Sequence, residues 1–441
     1  MELRKYLNFL IPDGVSLLHI GCGTGEILAS IHAPRRVGID ISPNAIEIAK
    51  KKYSDVEFRV GDLEALDITE KFDYILLINI IGYVDDVQEA FGQLQKVCKN
   101  ETRIIIVYFN YLWEPILKAA ESFSFREKHP VQHWLPIEDI ENILNLCDFE
   151  SVKKDYRFLV PVNLSLISWF CNRFIVKLPF FRMLALNAVI IARPAQTKIE
   201  HQEVSCSIVI PCRNERGNIE DAVRRIKNMG RHTEIIFIEG HSKDGTLQEC
   251  YRVQREYDAL DIKVFVQDGI GKGNAVRKGF DESTGDVLMI LDADLTVSPE
   301  SLPKFFNTLL LGKGELIMGN RLTYQMEKMA MRKLNLIGNK FFSLMFSFLL
   351  EQRIRDTLCG TKVLMKKDYK KISADRLYFG DFDPFGDFDL IFGASKQNLK
   401  ILEIPVRYRE RTYGTTQIDR FRHGLLLFKM VFFAATKIKF I

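Results

Sequence analysis

Residues 285–295 read GDVLMILDADL, and the fold of the chain's second half turns on them. The apolar run Val287–Leu291, with Gly285 and Asp286 in front and acids behind, has the composition of a buried strand. It delivers Asp292 and Asp294 at its C-terminal end. Two carboxylates there make an oxygen-rich site suited to Mg²⁺ or Mn²⁺ bridged to a diphosphate. A D-x-D triplet alone is common as a solvated turn; the apolar strand before it, and what stands upstream, give it weight.

Upstream, CSIVIPCRNERGNIEDAVRRI (206–226) supplies a strand at Ser207–Ile210 that turns at Pro211 into Arg213, Asn214 and Glu215 ahead of a helix. EIIFIEGHSKDGT (234–246) supplies another, ending at Glu239, and IGKGNAVRKGF (270–280) brings Lys272. Glu215, Glu239, Lys272 and the two aspartates thus stand in order behind successive strands. Downstream come MGNRLTY (318–324), MEKMAMRKLNLIGNKFFSLMFSFLL (326–350), RIRDTLCGTKVL (353–364) and FGDFDLIFGA (385–394).

This ordered set resembles the family 2 glycosyltransferases of the glycosyltransferase A fold, and its downstream half resembles their polyprenyl-phosphate branch, the dolichyl-phosphate mannosyl- and glucosyltransferases. The resemblance implies a nucleotide sugar held by Pro211, Glu215, Glu239, Lys272 and Asp292, with the metal on Asp292 and Asp294. It also implies an acceptor phosphate near Arg321 and Lys362, on a wall completed by Asp356, Cys359 and Gly360. Where many members carry two aspartates before glycine and serine, this chain has Glu239, Gly240, His241 and Ser242. The reaction implied is inversion at the anomeric carbon. A phosphate acceptor is already ionised at neutral pH and needs no base, whereas a hydroxyl acceptor does. Asp387 and Asp389, two apart and read as strand or loop, are the candidate catalytic carboxylates, with a structural role as the alternative.

The first half opens differently. Val15–Ile20 reads as a buried strand running into GCGTGE (21–26), a glycine-rich turn that exposes backbone N–H groups at a helix start. RRVGID ends on Asp40, placed for ribose hydroxyls. VEFRVGDLEAL carries Asp62 and Leu63, suited to an adenine amino group and its flat face, and FDYILLINII runs from near Asp73 to Asn79. Together these resemble the class I S-adenosylmethionine-dependent methyltransferases over most of residues 1–195. The resemblance implies S-adenosylmethionine as cofactor, with Gly21, Gly23 and Gly25 shaping its loop and Asp40, Asp62 and Leu63 beside it. His19 and Ile20 stand where the family frequently has an acid.

The whole chain of 441 residues suits two or three domains. We expect an α/β, Rossmann-like domain at 1–195, a linker at 196–205, a glycosyltransferase domain at 206–422 and a C-terminal amphipathic segment at 423–441. Its 61 basic and 57 acidic residues are too balanced for a nucleic-acid partner. Eight scattered cysteines without a C-x-x-C pair read as reduced thiols of a cytoplasmic protein. Three apolar segments, 156–183, 326–350 and 423–441, are interrupted by charge or proline and read as non-spanning. For 156–183 a lid or insert on the sheet competes with an interfacial segment. The other two, with Lys328, Arg332, Lys333, Lys340, Lys429, Lys437 and Lys439, have the pattern of helices lying in the membrane interface. The expectation is a bifunctional enzyme, peripheral on the inner face of the membrane, using a nucleotide sugar and a polyprenyl-phosphate acceptor. The alternative is transfer to a soluble glycan or protein hydroxyl, with the first half a non-catalytic binding module.

Overall fold

A computed structural model of the chain describes residues 2–124, 132–162, 164, 166–324, 333–380, 386, 388–414 and 420–441; side chains at 333–337 and 420–423 lie outside the description. The chain forms two compact units, Met1–Ala195 with Phe440–Ile441, and Gln196–Lys439. Residues 196–205 and 423–439 therefore fall within the second unit.

The first unit holds β1 (Ser16–Ile20), β2 (Arg35–Asp40), β3 (Glu57–Val60), β4 (Phe72–Ile78), β5 (Cys98–Phe109), β6 (Phe149–Arg157) and β7 (Asn187–Pro194). They form one sheet in the order β3-β2-β1-β4-β5-β7-β6. β3, β2, β1, β4 and β5 run parallel, and β7 is antiparallel to both β5 and β6. Alternation along β1 sends Leu18 and Ile20 into one buried cluster and Leu17 into another, so both faces are covered and the strand reads as a continuous apolar run.

The second unit holds β8 (Cys206–Cys212), β9 (Thr233–Glu239), β10 (Asp261–Val266), β11 (Val287–Ile290), β12 (Leu316–Asn320), β13 (Lys362–Met365) and β14 (Ile401–Pro405). The order is β10-β9-β8-β11-β13-β12-β14. β8 to β11 are parallel neighbours on one side of the sheet, and β13 enters antiparallel to β11 and β12. Both units are α/β, with strand order reversing between β1 and β4 and between β8 and β11. At such a reversal the loops leave to opposite sides and open a crevice at the strands' C-terminal ends.

A similar clasp fixes the register at each reversal. Asp73 accepts from Ser16 N–H at 2.9 Å and Oγ at 2.7 Å, and Asp286 accepts from Ser205 N–H and Oγ, both at 2.8 Å. Burial pushes each carboxyl up, yet the hydrogen bonds outweigh it and hold both below the usual range.

The segment 326–350 is a helix over Lys333–Leu350 in its described part; Lys328 and Arg332 lie outside the described residues. The chain ends in the helix Arg420–Ala434 and a wide turn at Ala435–Lys439. Among the described residues no helix is long and apolar enough to cross a membrane.

Candidate active sites

In the second unit a cavity of about 310 Å³ opens at the β8/β11 reversal. It is lined by Pro211, Glu215, Lys272, Asp292, Asp294 and Arg411, among others. The D-x-D turn leaves β11 with Leu295 at φ 53°, and Asp294 Oδ1 is fixed by Thr296 N–H at 3.1 Å and its Oγ1 at 2.9 Å. The loops after β8 and β9 are tied together. Asn214, at φ 55°, donates its N–H to Ser242 Oγ at 2.9 Å and accepts Lys243 N–H on its Oδ1 at 2.9 Å. Asn214, His241 and Leu295, all in this sparsely populated conformation, each stand next in the chain to a residue of the cavity wall.

Each aspartate of the turn holds a cation. Lys272 Nζ lies 2.6 Å from Asp292 Oδ1, and Arg411 reaches Asp294 Oδ2 at 2.7 Å and Glu215 Oε1 at 2.8 Å. Burial raises the Asp292 carboxyl, but Lys272, with Lys362 and Arg321 behind it, more than offsets this and leaves it below its usual value. Glu215 goes the other way: burial pushes it up, and Arg411 and Asn218 only partly compensate. Among the described residues no three His, Cys, Asp or Glu side chains converge as a complete metal cage. Asp292 and Asp294 are two hard oxygen donors on one turn, the kind of donor a hard cation takes when phosphate oxygens and water complete its shell. The donor set fits such an ion, because both carboxylates line the same cavity; Lys272 and Arg411 would have to release them when it binds.

Glu239 is placed otherwise. It is buried, and its Oε1 accepts from Ser242 N–H at 2.5 Å, capping the loop after β9. Arg411 was not found from sequence. It sits in RYRERTYG (407–414), after β14, where three alternating arginines offer no rule for choosing one. Gln267, also in the cavity wall, follows β10, whose alternating DIKVFV gives only a weak strand signal.

The acceptor-side residues are arranged more inwardly than expected. Arg321 forms a two-pronged pair with Asp356, Nε at 2.7 Å and Nη2 at 2.8 Å, and Asp356 also accepts from Asn339. Burial raises the Asp356 carboxyl, Arg321 outweighs it, and the group stays below its ordinary value. Lys362 is fully buried and donates to the Cys359 carbonyl at 2.7 Å. Arg321 and Lys362 thus act on Asp292 from behind rather than as an open phosphate-facing wall. Gly360 has the closest approach: a Cβ built on it would fall on the Asp292 carboxylate and the Lys272 ammonium. Asp387 lies outside the described residues. Asp389 sits in the first turn of the helix Phe388–Lys396, not on a strand or loop, and pairs with Arg376 at 3.0 Å. A carboxylate paired in this way fits the structural role that the sequence left as the alternative to a base.

In the first unit the turn after β1 carries Gly21, Gly23 and Gly25 at φ 72°, 51° and 82°. A Cβ at Gly21 would meet Ile80 and one at Gly25 would meet Phe58, whereas Gly23 faces open space. Gly23 N–H donates to Asp40 Oδ2 at 2.7 Å, and Ser42 N–H donates to Asp40 Oδ1 at 2.9 Å. The carboxylate at the end of β2 is thereby aimed and keeps further lone pairs for hydroxyls. Asp62 Oδ1 accepts from Glu64 N–H at 3.0 Å. Leu63 is 2% exposed and belongs to the core beneath the sheet, so its side chain offers no face to an adenine. The exposed apolar neighbour is Ile41, 69% accessible and directly after Asp40. Asn79 leaves β4 at φ 54° with a buried Oδ1 that finds no hydrogen-bond partner among the described residues. The open face of Gly23 and the orphaned Asn79 oxygen fit a bound polar cofactor.

Residues 11–156 match the family model described as methyltransferase domain, and residues 207–373 match that of glycosyl transferase family 2. The glycosyltransferase AglJ of Haloferax volcanii is 28% identical over 224 residues, 50% of this chain and 69% of that protein. The dolichyl-phosphate beta-glucosyltransferase of Saccharomyces cerevisiae is 29% identical over 238 residues, 48% of this chain and 70% of that protein. A TehB-like SAM-dependent methyltransferase structure from Corynebacterium glutamicum aligns at 19% identity and TM-score 0.31, covering 43% of this chain and 86% of that one.

Proposed function

We propose that this chain, in which a methyltransferase domain precedes a family 2 glycosyltransferase domain, moves a sugar from a nucleotide sugar to a polyprenyl phosphate at a membrane surface and methylates a separate acceptor with S-adenosylmethionine. The observation that carries the first activity is the pairing of Asp292 with Lys272 and of Asp294 with Arg411 inside one cavity at the sheet's reversal point. A nucleoside diphosphate brings negative charge to a place where two cations and two carboxylates are already balanced. When bound, Mg²⁺ or Mn²⁺ on Asp292 and Asp294 supplies charge neutralisation for the departing diphosphate.

The chain's own part follows from the geometry. Lys272 and Arg411 exchange their carboxylates for phosphate oxygens, as charge-assisted donors do when a more highly charged acceptor arrives. Gly360 leaves room for that exchange behind Asp292. The acceptor phosphate is ionised without help, consistent with Asp389 being tied to Arg376. The polyprenyl class of acceptor is supported by the names of the relatives, which include the yeast dolichyl-phosphate glucosyltransferase and undecaprenyl-phosphate arabinose-type transferases.

In the first unit, Gly23 and Asp40 hold the cofactor, with Ile41 beside its base and Asp62 near it. A membrane-surface location is supported by exposed apolar side chains on both candidate interfacial helices, Leu344 on Lys333–Leu350 and Phe428 and Phe432 on Arg420–Ala434. Sugar transfer assayed with and without chelator, and in Asp294→Ala, tests the proposal. Loss of transfer by at least ~10²-fold in both is expected, and full activity in either refutes the assigned role.

A further inference from the structure

The segment between β6 and β7 is built inside out. Its helix, Leu166–Arg173, turns Ser168 and Asn172 inward and leaves Leu166, Ile167, Trp169 and Phe170 outward, with Leu166 80% exposed. The turns that follow continue the pattern with Phe180 and Met183, Phe180 being 70% exposed. A helix on a water-facing surface has the opposite arrangement, since each apolar side chain gains by leaving water.

The inversion is not a loosely packed stretch. Asn172 donates to the Val160 carbonyl at 2.9 Å and accepts Val160 N–H at 2.8 Å, while Ser168 Oγ bridges the Val162 carbonyl and Leu164 N–H. Lys177 is buried against both oxygens of Asp155 at 2.8 Å. The inward polar groups are therefore satisfied, and the outward apolar face is held in place by them. A contiguous apolar surface of this kind on a folded domain marks an interaction site.

Charge decides the occupant. From Tyr156 to Ile199 the sequence has no Asp or Glu, while Arg173 and Arg182 lie at the rim of the patch, over the rings of Trp169 and Tyr156 at 5.9 Å and 5.7 Å. Aromatic side chains edged by arginine, in a segment that itself carries no acid, match the boundary between hydrocarbon and anionic headgroups. We infer that the methyltransferase domain docks on an anionic lipid bilayer through the exposed apolar side chains of the helix Leu166–Arg173 and of the turns that follow it to Leu184, independently of any membrane contact made by the glycosyltransferase domain. Its methyl acceptor is accordingly presented at that surface.

The full-length protein is mixed with phosphatidylcholine vesicles containing or lacking phosphatidylglycerol, and with the same vesicles carrying brominated acyl chains that quench nearby tryptophan. The chain has three tryptophans, so the quenching that Trp169→Phe removes is the signal of Trp169. Strong quenching of that signal, greater with phosphatidylglycerol, is expected. Leu166→Glu and Phe170→Glu, both at exposed positions, should each weaken vesicle binding by about tenfold or more, the loss of one inserted apolar side chain, without lowering the melting temperature. Vesicle binding with Trp169 unquenched overturns this inference while leaving membrane attachment of the other domain intact. A vesicle-independent dimer that Phe170→Glu dissolves overturns it as well, assigning the face to a second copy of the chain.

Discussion

Replacing Gly360 by alanine adds one methyl group at the point where the DTLCGTK segment backs the D-x-D turn. The added carbon would land on the carboxylate of Asp292 and the ammonium of Lys272, so one or both must shift. Gly360 is not at positive φ, so alanine meets no backbone strain and the effect belongs to the site. Overpacking of this kind costs about 1–3 kcal/mol of stability. Activity should fall far more, since a displacement of ~1 Å in a catalytic constellation costs on the order of 10²-fold. The control is Gly393→Ala, whose Cβ would press on Ile372 in the helix Phe388–Lys396. Both variants are melted by circular dichroism, then assayed well below their transitions for release of nucleoside diphosphate from UDP- and GDP-sugars with a lipid extract. Gly393→Ala should keep activity within about threefold, whereas Gly360→Ala should lose on the order of 10²-fold. If Gly360→Ala is as active as Gly393→Ala, the Asp292–Lys272 pair is not part of the chemistry.

Asp40→Ala should weaken S-adenosylmethionine binding about tenfold or more by calorimetry, because both the proposed ribose contacts and the clasp on Gly23 are lost; unchanged affinity would remove Asp40 from the site. Asp389→Asn should lower the melting temperature, leaving Arg376 with a neutral partner, yet keep specific activity near the parent's; selective loss of activity would favour Asp389 as a base over the structural role. His19 is buried, neither ring nitrogen finds a hydrogen-bond partner among the described residues, and burial lowers its pKa to about 4. Above pH ~6.5 it is neutral folded or unfolded. Below that only the unfolded chain takes up the proton, so stability is lost as pH falls, by about 2 kcal/mol between pH 6.5 and 5. Melts of His19→Leu against the parent at the two pH values should show this difference, and equal slopes would contradict it.

Much of the fold was legible because the strands are buried on both faces. VLMIL, IIFI and ILLI carry unbroken apolar runs, and the residues at their C-terminal ends, Asp292, Glu239 and Asn79, mark the crevices. β10 was not legible: DIKVFV alternates with polar residues at the sheet edge and follows a charged helix. The candidate site was legible where chemistry sits next to a strand, as at Pro211, Glu215 and Lys272. It was not where the partner comes from far along the chain. Arg411 joins Glu215 and Asp294 only through the return of the chain along β14, and nothing local separates it from Arg407 and Arg409. Arg321 and Lys362 stand at the expected positions, but their inward turn depends on Asp356 and the Cys359 carbonyl, a tertiary fact. Leu63 and Ile41 illustrate the same limit, since which of two apolar residues near a strand end is buried depends on the register of β2 against β3.

The most direct test of the central claim is a product analysis. The purified full-length protein is incubated with vesicle-borne polyprenyl phosphate, a panel of UDP- and GDP-sugars and Mn²⁺ or Mg²⁺, and the lipids are analysed by mass spectrometry beside Asp292→Ala and Asp294→Ala. The account requires a glycosylated polyprenyl phosphate that forms with divalent metal, vanishes with chelator and is absent from both variants. Sugar transferred instead to a water-soluble hydroxyl acceptor, with polyprenyl phosphate untouched, or product formation that survives loss of both aspartates, would contradict it.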